Sequence, residues 1–194
     1  MLAVAILAAG ESRRMGRPKA LLVYRGKTFV EHLVSATRHE RVGITRIVLG
    51  AQAEEIRAQL RFNPAWILAN ADWRQGQLSS IQAAVRTLPF GETEGIILCP
   101  VDHPLISSFL VAQLIHEFDS GGKQIVLPVH KRKRGHPVIF RASLYQELLA
   151  ASPDVGAREV VWAHAPDVAE VETDEEGVIL NLNEPEALKK ALDG

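Results

Sequence analysis

The segment "LAVAILAA" (residues 2–9) is apolar at every position. It therefore leaves no face of a strand for water, and such a strand must be covered on both sides, as in the middle of a parallel sheet. Short runs rich in branched apolar residues return as "ITRIVLG" (44–50), "AWILAN" (65–70) and "GIILCPVD" (95–102). Helical periodicity follows each one, over Phe29 to Glu40, "AEEIRAQLRF" (53–62), Ser80 to Thr87 and Ile106 to Asp119. Repeated strand–helix units of this length predict an α/β chain with a single doubly wound (Rossmann-like), mostly parallel sheet.

The rhythm changes after residue 120. "QIVLPVH" and "HPVIF" flank the basic turn "KRKRG", which predicts a small β-hairpin acting as a lid or side wall over the sheet. Strands at "VAEVET" and "GVILNL" and a helix over "EPEALKKAL" complete the expected order. At 194 residues the chain suits one domain, 1–194. The change of rhythm divides it into two halves, 1–120 and 121–194.

A net charge of -1 argues against nucleic acid or an acidic membrane as the general partner. The one cysteine, Cys99, cannot form an internal disulfide or a thiolate cage and reads as a small buried hydrophobe. With no basic residues before the apolar N-terminal run, and that run too short to span a bilayer, a cytoplasmic location is expected.

Against this neutral background the loop after the first strand stands out. Arg13, Arg14, Arg17 and Lys19 fall within seven residues, punctuated by Gly10, Gly16 and Pro18. Clustered cations repel one another, so either water solvates them or an anion belongs among them. Ligands of open α/β sheets bind beyond the carboxyl ends of the strands, where this loop lies. Arg14 offers a bidentate fork and Lys19 a compact charge for phosphate. Neither G-x-x-x-x-G-K-[ST] nor G-x-G-x-x-G is present, which disfavours a P-loop and an ordinary dinucleotide site.

Asp102 follows the fourth strand in "CPVDHP". It suits either magnesium, which takes one or two protein oxygens alongside substrate phosphates, or the cap of the next helix. His103 is left out of the chemistry, since a lone loop histidine is more often neither base nor ligand. In "NADWRQGQLSS", Gly76 and Ser80 open a helix, either as a plain N-terminus or as an anion and ribose site. "KRKR" (131–134) reads as a solvated hairpin tip.

The stretch "LAAGESRRMGRPKALL" (7–22) resembles the signature of molybdenum-cofactor-type nucleotidyltransferases. Its paired alanines and "GRPKALL" are closest to the cytidylyltransferases, since guanylyltransferases usually carry Gly where this chain has Ala9. The resemblance implies a magnesium-dependent enzyme that transfers CMP from CTP to a molybdopterin-type cofactor. It assigns the nucleotide to Leu7, Ala8, Ala9, Gly10, Arg14, Lys19, Gly76 and Ser80, with Arg14, Lys19 and Asp102 as catalytic groups. "GHPV" and "DVGAR" place His136 and Arg158 on the acceptor side, although Pro153 replaces the glycine usual before Asp154. Asp102 and Asn183 would hold Mg2+; the Asn181-x-Asn183 form resembles the guanylyltransferases instead, so GTP stays open beside CTP. A molybdoenzyme or chaperone partner is compatible with that assignment. A sugar or polyol phosphate acceptor also stays open, as does a non-catalytic nucleotide-binding regulatory protein.

Overall fold

Strand β1 (Leu2–Ala8) buries all seven of its residues, and its two faces serve two different cores. Leu2, Val4, Ile6 and Ala8 pack on one side, and Ala3, Ala5 and Leu7 on the other. This is the physical meaning of an uninterrupted apolar run: strand alternation sends successive side chains to opposite faces, and both are dry. The computed structural model describes residues 1–12 and 15–182.

After β1 come a small hairpin of β2 (Val23–Tyr24) and β3 (Lys27–Thr28), α1 (Phe29–Ala36) and β4 (Val42–Leu49). Then follow α2 (Ala53–Gln59), β5 (Ile67–Ala69), α3 (Gln77–Arg86), β6 (Gly95–Pro100) and α4 (Ser108–Gly121). The remainder is β7 (Ile125–His130), β8 (Lys133–Arg134), β9 (Val138–Arg141), α5 (Tyr145–Ala150), α6 (Arg158–Ala163) and β10 (Val168–Glu172). One eight-stranded sheet has the order β10-β7-β9-β6-β1-β4-β5, with β8 paired to β7. Pairing is parallel for β1 with β4 and β6, β4 with β5, and β7 with β10; β9 runs antiparallel to both its neighbours. Helices α1 and α4 cover one face, and α3 and α5 the other. The sheet is thus doubly wound and mostly parallel, as expected.

The chain leaves β1 toward β4 on one side and returns to β6 on the other. That reversal opens a crevice beyond the carboxyl ends of β1 and β6, the usual ligand position in such sheets.

The hairpin after residue 120 is present, but it does not lie over the sheet. Val129 and His130 pair with Arg134 and Lys133 across a turn in which Lys131 and Arg132 both have positive φ, and β9 inserts between β6 and β7. Val138, Ile139 and Phe140 are all buried, so burying them within the sheet gains more than an exposed lid would. The strand expected at "GVILNL" is also absent. Residues Glu176–Val178 form a single 3-10 turn, and the segment crosses the sheet edge by separate bonds to two loops: His136 N donates to Val178 O at 2.9 Å, and Leu182 N to Asp102 O at 2.9 Å. Gly177 allows the crossing, because a Cβ there would lie 2.4 Å from the carbonyl oxygen of Leu105. Helix α3 begins at Gln77, three residues before the expected start, while the helix expected at "EPEALKKAL" lies outside the described residues.

Candidate active site

The loop after β1 is held by its apolar end. Ala20, Leu21 and Leu22 are buried in the α1–α4 core, so "KALL" anchors the loop and leaves Lys19 at its mouth. Ser12, at φ 54°, turns the chain and accepts a hydrogen bond from the Lys19 amide at 3.0 Å. A Cβ at Gly10 would meet no protein atom within 4 Å, so packing does not demand glycine there and the space beside it is open to a ligand.

A cavity of about 210 Å³ lies against this loop. Its walls include Leu7, Ala9, Gly10, Ser12 and Lys19 from the first strand and loop, Trp73, Gly76, Gln77 and Ser80 around the start of α3, and Pro100, Val101 and Asp102 after β6. Of the residues expected to meet nucleotide, Leu7, Ala9, Gly10, Lys19, Gly76 and Ser80 line it, and so does Asp102. Ala8 does not: it is 3% exposed and packs in the α1–α4 core, one residue out of phase with Leu7 and Ala9. Arg14 and Asn183 lie outside the described residues.

Lys19 Nζ and Asp102 Oδ2 stand 3.5 Å apart inside the cavity. Gly76 has φ 95°, in the left-handed range that favours glycine, and turns the chain into α3. Beneath it, buried Asn70 donates through Nδ2 to Ser79 Oγ at 2.9 Å and Ser80 Oγ at 3.1 Å. Ser79 in turn donates to Gly76 O at 2.8 Å, so these hydroxyls are held by a side chain that sequence reasoning passed over. Trp73 and Ser12 were missed as well. The indole sits against Gly50, where a Cβ would come within 2.5 Å of Trp73 Cβ, and an aromatic residue inside a polar run was the available signal.

A second cavity, of about 420 Å³, adjoins the first, with Leu7, Gln77 and Pro100 common to both. His136 and Arg158 line it, together with Leu78, Ile81, Leu98, Val138, Phe140 and Val161. The two residues expected on the acceptor side thus share one cavity, next to the other, and Asp154 lines it as well. His136 packs against His103, with ring centroids 4.9 Å apart and the ring planes tilted by 53°. Burial pushes its pKa down to about 4, helped by His103 and opposed by Asp102. Burial also lowers that of His103, whose Nε2 is 3.9 Å from Asp102 Oδ1. His103 therefore adjoins the site although sequence reasoning set it aside.

Among the described residues no three His, Cys, Asp or Glu side chains converge on a metal position. Asp102 is a single carboxylate facing an open cavity. That donor set fits magnesium, a hard cation that keeps most of its waters and shares phosphate oxygens with its substrate. It does not fit a closed transition-metal cage. Cys99 is buried one strand residue before Pro100, and burial pushes its thiol up to about 12.

Comparison with known proteins agrees with this geometry. A protein called nicotine blue oxidoreductase, from Paenarthrobacter nicotinovorans, is 35% identical over 79% of this chain and 78% of its own length. A molybdenum cofactor guanylyltransferase from Shewanella sp. (strain ANA-3) is 23% identical over 93% of this chain and 90% of its own. In fold, the crystal structure of Rv0371c from Mycobacterium tuberculosis superposes with a TM-score of 0.84 at 24% identity, covering 100% of this chain and 97% of that one. No described helix is long and apolar enough to cross a membrane. The model of the MobA-like NTP transferase domain matches residues 4–168, most of the sheet and the cavity walls at the ends of β1 and β6, and the chain belongs to that nucleotidyltransferase family.

Proposed function

We propose that the chain transfers CMP from CTP to the phosphate of a molybdopterin-type cofactor and releases pyrophosphate. The observation that carries this reading is the pair of adjoining cavities: one lined by Lys19 and Asp102, and one lined by Arg158 and His136. The first suits a triphosphate and its nucleoside. The second suits an acceptor with an anionic group for Arg158 and a ring to pack on Leu78, Ile81, Val138 and Phe140. Residues before 120 line the first cavity, whereas the second is shared, with His136 and Arg158 from after residue 120 and Leu78 and Ile81 from before it.

In the proposed reaction an acceptor phosphate oxygen attacks the α-phosphorus, the new P–O bond forms, and the bond to the β-phosphate breaks. Lys19 neutralises charge on the triphosphate and the departing pyrophosphate, and Arg14 is assigned the same task from its place in the loop. The Ser80 hydroxyl and the start of α3 orient the nucleoside. Arg158 holds the anionic end of the acceptor. A phosphate monoester with a second pKa of about 6 is already ionised at neutral pH, so no side chain has to remove a proton. Magnesium would be held by Asp102, with Asn183 as a second oxygen donor, and when bound it shields phosphate charge.

Cytidine is favoured by Ala9, and the relatives named guanylyltransferases make GTP the competing nucleotide. Pyrophosphate release is measured with CTP, GTP, ATP and UTP, each with and without molybdenum cofactor. CTP-dependent release that requires the cofactor is expected. Release with GTP alone would replace the base, and release without cofactor would remove the acceptor assignment.

A second reading, reduction or oxidation of a pigment, rests on the relative named nicotine blue oxidoreductase. It is tested by following oxidation of a reduced nicotinamide dinucleotide in the presence of nicotine blue. No oxidation is expected.

A further inference from the structure

Three residues line both cavities, and two of them, Leu7 and Pro100, have no polar side-chain atom. The third is Gln77. Gln77 is the residue common to both cavities that carries a polar side chain. Gln77 is the first residue of α3, a helix of ten residues with no side-chain cap and no acidic residue in its first turn. The helix therefore brings an uncompensated positive end to the junction. Gly76 before it is strained toward glycine, and the Asn70–Ser79–Ser80 bonds below it fix the first turn, so the position of Gln77 is set by buried groups. Its own side chain is exposed and lies outside those bonds.

We propose that Gln77 aligns the two phosphates, its amide N–H groups bonding the acceptor phosphate and an α-phosphate oxygen of the nucleotide. The inference rests on the reaction proposed above. Two anions must meet there, and a neutral donor orients them without the tight ground-state binding that a further cation would add. Gln77 exchanges no proton. The acceptor oxygen forms the new bond to phosphorus, and pyrophosphate leaves with the electron pair of the broken one.

The test uses the full chain with Gln77→Met, which keeps the stem and removes the donors, and Gln77→Glu, which puts a carboxylate between two phosphates. Nucleotide affinity is measured by calorimetry, and turnover by pyrophosphate release with molybdenum cofactor and whichever nucleotide the wild type uses. Gln77→Met is expected to bind nucleotide within about twofold of wild type and to lose about 10- to 100-fold in kcat/KM for the acceptor. Gln77→Glu is expected to lose more than Gln77→Met. Turnover of Gln77→Met within about twofold of wild type overturns the assignment, as does a loss that resides wholly in nucleotide affinity. A wild type inactive with every nucleotide overturns the proposed reaction itself, and the role of Gln77 with it.

Discussion

Lys19 and Asp102, 83 positions apart in the chain, bring Nζ and Oδ2 to 3.5 Å in the loops that follow two neighbouring strands. Each side chain is about one-fifth exposed or less, and both face the cavity rather than the core. A lysine opposite a lone carboxylate prepares a place where phosphate charge and its counter-ion can both be accommodated.

Replacing either member separates function from stability. Lys19→Met and Asp102→Asn are each expected to lower nucleotidyl transfer by about 100-fold or more, since each removes charge where charge develops. Thermal unfolding should move by about 1–3 kcal/mol at most, because the pair is largely buried yet borders an open cavity. Wild-type turnover in Asp102→Asn would remove its assigned role.

Gly50 packs behind Trp73, which walls the same cavity. An added Cβ would lie 2.5 Å from Trp73 Cβ and 2.7 Å from the Ala9 carbonyl oxygen. Gly50→Ala is expected to displace the indole or the β1 loop, to cost about 1–3 kcal/mol in chemical unfolding, and to raise KM for the nucleotide. A variant with unchanged KM and midpoint would show that the wall is more pliable than its contacts imply.

At the opposite end of the sheet Glu94 accepts from Arg41 and from the N-terminal amine, and these bonds hold its pKa at about 2. A depressed carboxyl stabilises the fold above its unfolded value of 4.5, and that contribution is lost as pH falls from there toward 2. Half-exposure screens the pair, so the effect is moderate. Melting temperature should fall less steeply over this interval in Glu94→Gln than in wild type, and parallel profiles would contradict the coupling.

Cys99 is fully buried, with its thiol pushed up to about 12. A thiol reagent at about pH 8 should leave the native protein unlabelled and label it stoichiometrically once denatured. Rapid native labelling would mean that β6 opens readily.

The parallel sheet was legible in the chain because runs such as 2–9 and 95–102 have only one way to hide both faces. The basic loop, Asp102 and the Gly76–Ser80 turn were legible because strand ends in such sheets place ligands. The strand expected at "GVILNL" failed, since Gly177 and the bonds of Val178 and Leu182 serve two loops rather than a ladder partner.

Local pattern thus determined which segments are buried strands and which loop carries the charge, because burial and period are properties of neighbouring residues. Tertiary structure alone decided that β9 enters the sheet, that Ala8 turns away while Leu7 and Ala9 face the cavity, and that His103 meets His136. It also put Gln77 between two cavities. Those relationships join residues far apart in sequence through packing on a shared sheet edge, and no local period records which distant partner a side chain will meet.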